Sequence, residues 1–375
     1  MLNLHSFFLK GASYSMLFVI VSYAALLMLF SSCSAYLSVQ HETRLSDSSA
    51  HEVHYSIVCF IHGDGDYLYH DTNGKEYKAD EQTLAAAKNV ALQNPYAEVF
   101  IFHQKPKRHF LLFFPLRDGE FFYYRNGQLI ASELYRRDSE KSHFQNEVDL
   151  YHRFHENTKH ETVSMFLYYG HEIPEFDGAG YDASYPDRTF TVDDLAIGLK
   201  DIKSDSTKFD LMVLSTCFGG TPYTISAFKP FARTIIASPE NLHLSYFDLG
   251  ALERLDLRMR DSDVPTFAKR FAHQTFTRLT KDIQTEVSIA VYDVDRASEF
   301  LSSVQMVYNH KLSAIKMEKD DLPSTIEHCD CADLPEYLQS MINTGVEIYY
   351  QPAHFGSSKN KQNHSGWECW KIIAP

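Results

Sequence analysis

Along this chain, short and nearly unbroken apolar runs alternate with stretches whose apolar residues recur at helical spacing. His54–Ile61 (HYSIVCFI), Glu98–His103, Val163–Tyr169 and Phe209–Leu214 are of strand length and apolar throughout, as expected of strands buried on both faces of a parallel sheet. Asp80–Gln93 instead places Leu84, Ala87, Val90 and Ala91 on one helical face and stops at Asn94-Pro95. Val192, Leu195, Ala196 and Leu199 share a face in the same way, behind a cap at Thr189 or Thr191. Strand, loop, helix, strand is a crossover unit, which makes Val163–Tyr169 and Phe209–Leu214 parallel neighbours.

Further strands are expected at Phe110–Phe114, Glu120–Arg125 and Leu129–Leu134, separated by the turn signals Arg117-Asp118-Gly119 and Arg125-Asn126-Gly127. Asp138–His160 is charged and helical, Pro222–Phe231 is a helix, and Arg233–Ala237 is a strand. Past residue 250 come helices at Pro265–Thr280 and Ala297–Tyr308, strands at Val287–Tyr292 and Glu347–Tyr350, and a polar tail with Trp367 and Trp370. The pattern predicts an α/β domain over residues 53–250, with a mostly parallel central sheet, and a C-terminal α+β subdomain over residues 251–375 packed on it.

The first 52 residues read differently. Lys10 is the one Lys or Arg ahead of a mostly apolar run from Met16 to Phe30, which leads into Ser31-Ser32-Cys33. That is the layout of a bacterial secretory signal over residues 1–32, and the run is short for a membrane span. Leu29-Phe30-Ser31-Ser32-Cys33 resembles a lipoprotein signal box, with Phe30 where leucine is usual. That resemblance implies cleavage before Cys33 and lipid attachment to it, with polar, Ser-rich residues 33–52 as a tether. The alternative is an uncleaved single-span anchor. Both export the remaining ~340 residues, ample for a large core, and hold them at a membrane, in the bacterial cell envelope on its periplasmic or outer face.

Candidate chemistry sits at two strand ends. Phe209–Leu214 runs into Ser215-Thr216-Cys217, then breaks at Gly219-Gly220, with Pro222 set to begin a helix. Val163–Tyr169 runs into Gly170-His171. Open α/β sheets place reactive groups at the carboxyl ends of their strands, and a cysteine nucleophile needs an imidazole that comes from elsewhere in the chain. Cys217 follows His171 by 46 positions, close to the spacing of about 50 between His and Cys in caspase-type enzymes. Against this stand 19 histidines, which make coincidence easy, and the inertness of most buried cysteines.

The ordered pieces around these positions resemble the clostripain family of cysteine peptidases, in the caspase-like clan. Phe209-Asp210-Leu211 with Cys217 corresponds to the family's nucleophile strand. Phe228-Lys229-Pro230-Phe231-Ala232 and Ile236-Ala237-Ser238-Pro239-Glu240 match the following helix and strand end. Leu244–Asp248, Phe190–Leu195, Val291–Asp295 and Ile348–Pro352 resemble further segments, so the likeness runs over about residues 53–352. It implies a caspase-like three-layer sandwich and a Cys217–His171 dyad that hydrolyses peptide bonds through a thioester. The backbone N–H groups of Cys217 and Glu172 would hold the oxyanion, and Ser215, Gly219, Ser238 and Glu240 would line the substrate. Arg188, Lys200, Lys203 and Lys208 are possible sites of self-cleavage, which the sequence leaves open.

Two departures bear on activity. The family usually has glycine after the histidine, where this chain has Glu172, a residue able to strain the backbone or crowd a substrate carbonyl. Members that cut after Arg or Lys often carry Asp two positions before the cysteine, where Ser215 stands here. A catalytically inactive relative that binds peptides or a surface partner is therefore the alternative reading.

Composition and the other reactive residues narrow the picture. A net charge of −14 argues against nucleic acid as a partner. No cofactor is expected, with calcium conceivable only through the family resemblance, and no metal site is assigned. His62-Gly63-Asp64-Gly65-Asp66 lacks calcium-loop spacing and reads as a strand-to-loop turn. Cys59 reads as core, and His62 as a hydrogen-bonded structural histidine. In an oxidising compartment Cys369 pairs with Cys329 or Cys331, which a zinc site with His328 would fit less well.

Overall fold

The computed structural model describes residues 52–63, 68–70, 74–106, 109–110, 114–115, 117–136, 144–155, 162–175, 191–203, 207–242, 247–257, 259–306, 326–333 and 340–372. The signal segment, Cys33, all of the tether but Glu52, and Arg188 lie outside these residues. No helix among the described residues is long and apolar enough to cross a membrane.

The apolar runs fold as strands β1 (Tyr55–His62), β4 (Ala97–Gln104), β9 (Val163–Tyr169), β10 (Phe209–Ser215) and β11 (Ala232–Ala237), with the short pair β2 (Leu68–His70) and β3 (Glu76–Lys78) after the first. These five long strands lie parallel in the order β11-β10-β9-β1-β4. β1, β4, β9 and β10 are buried along their whole length, which is why their sequences do not alternate.

Antiparallel strands flank this centre. On one side β7 (Gly119–Arg125) pairs with β4, and β8 (Gln128–Tyr135) forms the edge. The Asn-Gly signal turns this hairpin, with both Asn126 and Gly127 at positive φ. Arg117-Asp118-Gly119 is not a tight turn: it ends the connection from β4 and enters β7, and Phe110–Phe114 is split between the two-residue strands β5 (His109–Phe110) and β6 (Phe114–Pro115).

On the other side β12 (Val287–Asp293) pairs with β11, and β14 (Val346–Gln351) with β12. The C-terminal residues therefore extend the sheet to nine strands, and no break in it falls at residue 250. Beside it, β13 (Ile326–Asp330) pairs with β15 (Glu368–Ile372), and Cys331 bridges Cys369.

Successive residues of each strand feed two cores. Ile57, Cys59, Met165, Leu167, Leu211 and Val213 pack with helices α1 (Ala79–Gln93) and α5 (Val264–Asp282). Val58, Phe60, Phe166, Tyr168, Met212 and Leu214 pack with α2 (Gln145–Phe154), α3 (Val192–Ile202), α4 (Pro222–Phe228) and α6 (residues 298–306). This is a three-layer sandwich around a mixed sheet whose centre is parallel. Thr191, not Thr189, caps α3 in a reciprocal box with Asp194. Helix α2 lies within the charged stretch that suggested it, with Val148, Leu150 and Tyr151 in the core and Phe154 packed against it.

Candidate active site

Register brings the two strand ends together. In the β9–β10 pair Tyr169 lies opposite Ser215, and the Gly170 amide donates to the Ser215 carbonyl at 3.4 Å. His171 and Cys217 each stand two residues beyond that last pair, at the carboxyl ends of neighbouring parallel strands, and both are half-buried. One position further, the Glu172 carboxylate lies near enough to act on the Cys217 thiol.

A neighbouring segment, residues 238–242, cradles the nucleophile turn. The Gly220 amide donates to Ser238 O at 2.9 Å, and the Phe218 amide to Glu240 O at 3.1 Å. The Leu242 amide then donates to the Cys217 sulfur at 3.4 Å. Burial pushes the Cys217 thiol up from its ordinary pKa; the Leu242 amide pulls it back and the Glu172 charge adds to the rise. Cys59, sealed in mid-strand, is pushed up by burial to about 12 and is an inert core thiol.

Backbone strain falls on a residue that the sequence did not single out. Phe218, directly after Cys217, is left-handed at φ 49, whereas Glu172 does not join it there. Holding a bulky side chain in that region costs on the order of 1–3 kcal/mol and marks a constrained turn. Gly219 and Gly220 serve space and not a left-handed turn. A Cβ on Gly220 would come within 2.2 Å of the Tyr292 hydroxyl oxygen and 2.8 Å of Pro239 Cα, and one on Gly219 within 2.9 Å of Thr216 Oγ1.

Three of the residues expected to line a substrate make contacts within the protein. Ser215 is fully buried, and its Oγ accepts from the Phe247 amide at 3.1 Å. Ser238 is also fully buried, with its hydroxyl donating to Glu240 O at 2.9 Å. Glu240 faces the C-terminal segment, 2.7 Å from Lys361 Nζ and 3.0 Å from His364 Nε2. His62, with Nδ1 3.3 Å from the Tyr168 hydroxyl, is buried beside the histidine strand. Of the proposed cleavage positions inside the described residues, Lys200 lies within α3 and Lys208 precedes β10 in an ion pair with Asp295. Lys203 caps the end of α3.

A staple missing from the sequence reading joins the two reactive loops. Glu175, four residues after His171 and buried, accepts from the hydroxyls of both Thr221 and Thr224, the latter at 2.9 Å. Thr221 caps α4, so the carboxylate lies at that helix's start. No local pattern signals such a pairing across 46 residues.

Glu240, His364 and Glu368 bring donor atoms to within 4.8 Å of one another. They do not suit a calcium ion, which takes six to eight oxygens. The Lys361 ammonium already neutralises Glu240. Nδ1 of His364 lies 2.9 Å from the Gly366 amide, and Nε2 faces Glu240 and Glu368. Burial would lower the His364 pKa, and these acids raise it to about 9, so the ring is occupied by protons and not open to a cation. A polar cleft of about 890 Å³, lined by His54, Lys203, Asp210 and Arg233 among others, opens at the amino ends of the strands and contains neither Cys217 nor His171.

Comparison with known proteins bears on the fold and the family. Curated protein sequences give no significant match. Among solved structures, an inactive zymogen C11 protease from Parabacteroides distasonis superposes with a TM-score of 0.55 at 12% identity, covering 85% of this chain and 91% of its own. A secreted C11 cysteine protease of Bacteroides thetaiotaomicron, "iotapain", gives 0.54 at 12%, covering 84% and 93%. A secreted C11 cysteine protease from the same organism, in complex with an irreversible peptide inhibitor, gives 0.52 at 11%, covering 86% and 90%. At such identities the likeness is one of fold. The model of the clostripain family, C11, matches residues 164–358, more than half of the sequence and the whole stretch from the His171 strand to β14, and the chain belongs to that family of cysteine peptidases.

Proposed function

We propose that this protein is a membrane-tethered cysteine endopeptidase in which Cys217 and His171 form the catalytic dyad. The observation that carries the reading is the placement of both residues at equivalent steps beyond one register pair of adjacent parallel strands. His171 takes the thiol proton as the sulfur attacks the scissile carbonyl, and returns it to the leaving amine. Water then hydrolyses the thioester. The backbone N–H groups of Cys217 and Glu172 are the proposed oxyanion donors. A peptide substrate is in keeping with the peptide inhibitor held by the Bacteroides thetaiotaomicron protease. The tether is Cys33, lipidated after removal of residues 1–32, which places the enzyme in the cell envelope.

One observation favours a second reading, a silent relative that binds peptide without cutting it. The Cys217 thiol is pushed up by burial and by Glu172, both of which oppose thiolate formation. A peptidyl electrophile and a small alkylating agent, each applied to soluble protein from residue 34 onward, separate the two. An active dyad reacts with the peptidyl reagent far faster and cleaves a peptide library, and Cys217→Ala does neither. Equal, slow labelling with no cleavage would leave the silent reading standing. If Glu172→Gly then restored cleavage, the residue after the histidine would be the reason. Metabolic labelling with a fatty-acid probe tests the anchor: label lost on Cys33→Ser supports it, and label retained refutes it.

A further inference from the structure

Residues 361–368, far from the dyad in sequence, meet the nucleophile turn from two directions. The Glu368 amide donates to Gly220 O at 3.2 Å. The Tyr292 hydroxyl ties Gly366 O, at 2.6 Å, to the same Gly220 carbonyl, at 3.4 Å. On the other flank, Lys361 Nζ donates to Glu240 Oε1 at 2.7 Å, and the buried Nε2 of His364 lies 3.0 Å from that oxygen. The backbone of Glu240 accepts the Phe218 amide, and two residues on the Leu242 amide reaches the Cys217 sulfur. The segment is itself held in place. Trp367 is fully buried with Nε1 on Ile342 O at 2.9 Å, and Cys369, next to Glu368, is bonded to Cys331.

We propose that His364 and Lys361 are positioning residues of the nucleophile, acting through Glu240 to hold the Leu242 amide on the Cys217 sulfur. The inference rests on the reading of Cys217 as the nucleophile. Glu240, half-buried, is kept ionised at about 2: burial would raise it, and His364, Glu286 and Lys361 around it outweigh that. An N–H aimed at sulfur favours the thiolate over the thiol. Releasing Glu240 lets residues 238–242 drift and removes that preference while Cys217 stays in place. Among the groups facing the sulfur, Glu172 opposes the thiolate and the Leu242 carbonyl, 3.4 Å away, accepts from the thiol, so the Leu242 amide is one of the few groups that favour the thiolate.

The test measures the rate of iodoacetamide alkylation at Cys217 against pH, by mass spectrometry of the Cys217 peptide, in protein from residue 34 onward. In His364→Leu and in Lys361→Met the alkylation profile moves to higher pH, with labelling at pH 7 slowed about tenfold, equivalent to one pKa unit. In whichever preparation cleaves peptide, kcat falls and KM holds. His364→Gln, which keeps a polar N–H able to reach Glu240, restores the wild-type profile. A merely structural role lowers the thermal midpoint and leaves the profile of the folded fraction unmoved, and that result overturns the proposal. Should His364→Leu not fold, Lys361→Met and His364→Gln decide, since an unmoved profile in the first or a profile shifted like a loss of function in the second counts against it. Alkylation does not require turnover, so a chain that labels as described and never cleaves refutes the peptidase reading alone.

Discussion

Two buried histidines, His103 and His364, lie in similar charge clusters and do different things. His103 ends β4, with Nε2 3.0 Å from Asp80 and Nδ1 3.3 Å from Glu120, which also pairs with Lys105. A carboxylate at each ring nitrogen favours its charged form. Burial alone would lower its pKa, and the two acids outweigh that and raise it. His364 has one nitrogen at a backbone amide, and its Nε2 lies 3.0 Å from Glu240 Oε1 as a charged contact without hydrogen-bond alignment. Burial would lower its pKa, and the acids around it outweigh that and raise it to about 9. The first cluster joins α1, β4 and β7 and touches nothing reactive; the second reaches the turn that carries Cys217. Chemistry alone does not distinguish them. What lies behind the carboxylate does.

The largest expected contrast is between cysteines at the two kinds of position. Cys217→Ala reduces peptide cleavage to the uncatalysed background, a loss of several orders of magnitude. Cys59→Ala retains wild-type kcat and lowers unfolding free energy by about 1 kcal/mol, read from denaturant titration. Retained cleavage in the first variant would remove the comparison altogether.

Next in size is His103→Leu, which leaves Asp80 and Glu120 facing each other without a buried cation. Breaking such a pair costs about 3–5 kcal/mol, seen as a lower denaturation midpoint. Reactivity of Cys217 in the folded fraction stays as in the wild type, the opposite of the outcome expected for His364→Leu.

Gly220→Ala is a smaller blow aimed at the turn. The added methyl meets Tyr292 and Pro239, and overpacking of this kind costs about 1–3 kcal/mol. Turnover should fall by more than the loss of folded protein explains, because the shift passes directly to Phe218 and Cys217.

The smallest effect is the pH dependence of the His103 cluster. Hydrogen bonding to His103, against the opposing effect of burial, with Lys105 assisting, holds Glu120 at about 2. Its folded value is depressed, so its contribution is complete above the ordinary 4.5 and is lost as pH falls toward 2. The His103 value is raised, so its contribution is complete below 6.5 and is lost as pH climbs through the higher folded value. Stability from this cluster therefore peaks between about 4.5 and 6.5. Glu120→Gln should flatten the acid limb of the stability curve, and an unchanged limb would assign acid sensitivity to other carboxylates.

Much of the architecture was legible before any coordinates. The unbroken runs in β1, β4, β9 and β10 announce strands covered on both faces, since only a sheet with helices on each side lets every position be apolar. Asn126-Gly127 announces its hairpin because both residues tolerate positive φ. His171 and Cys217 could be singled out because reactive residues just past buried strands are local patterns.

Other features could not be read in this way. Burial of Ser215 and Ser238, the role of Gly220 as a space for Tyr292, the Glu175 staple and the links from Lys361 and His364 to Glu240 all join residues dozens to more than a hundred positions apart. Strand register and sheet order bring such residues together, and both are set by packing of the whole core. The sequence by itself determined which segments become buried strands and which residues can react. The tertiary structure alone decided which amide points at the sulfur and what holds it there, because hydrogen-bond partners across a sheet depend on the positions of all its strands at once.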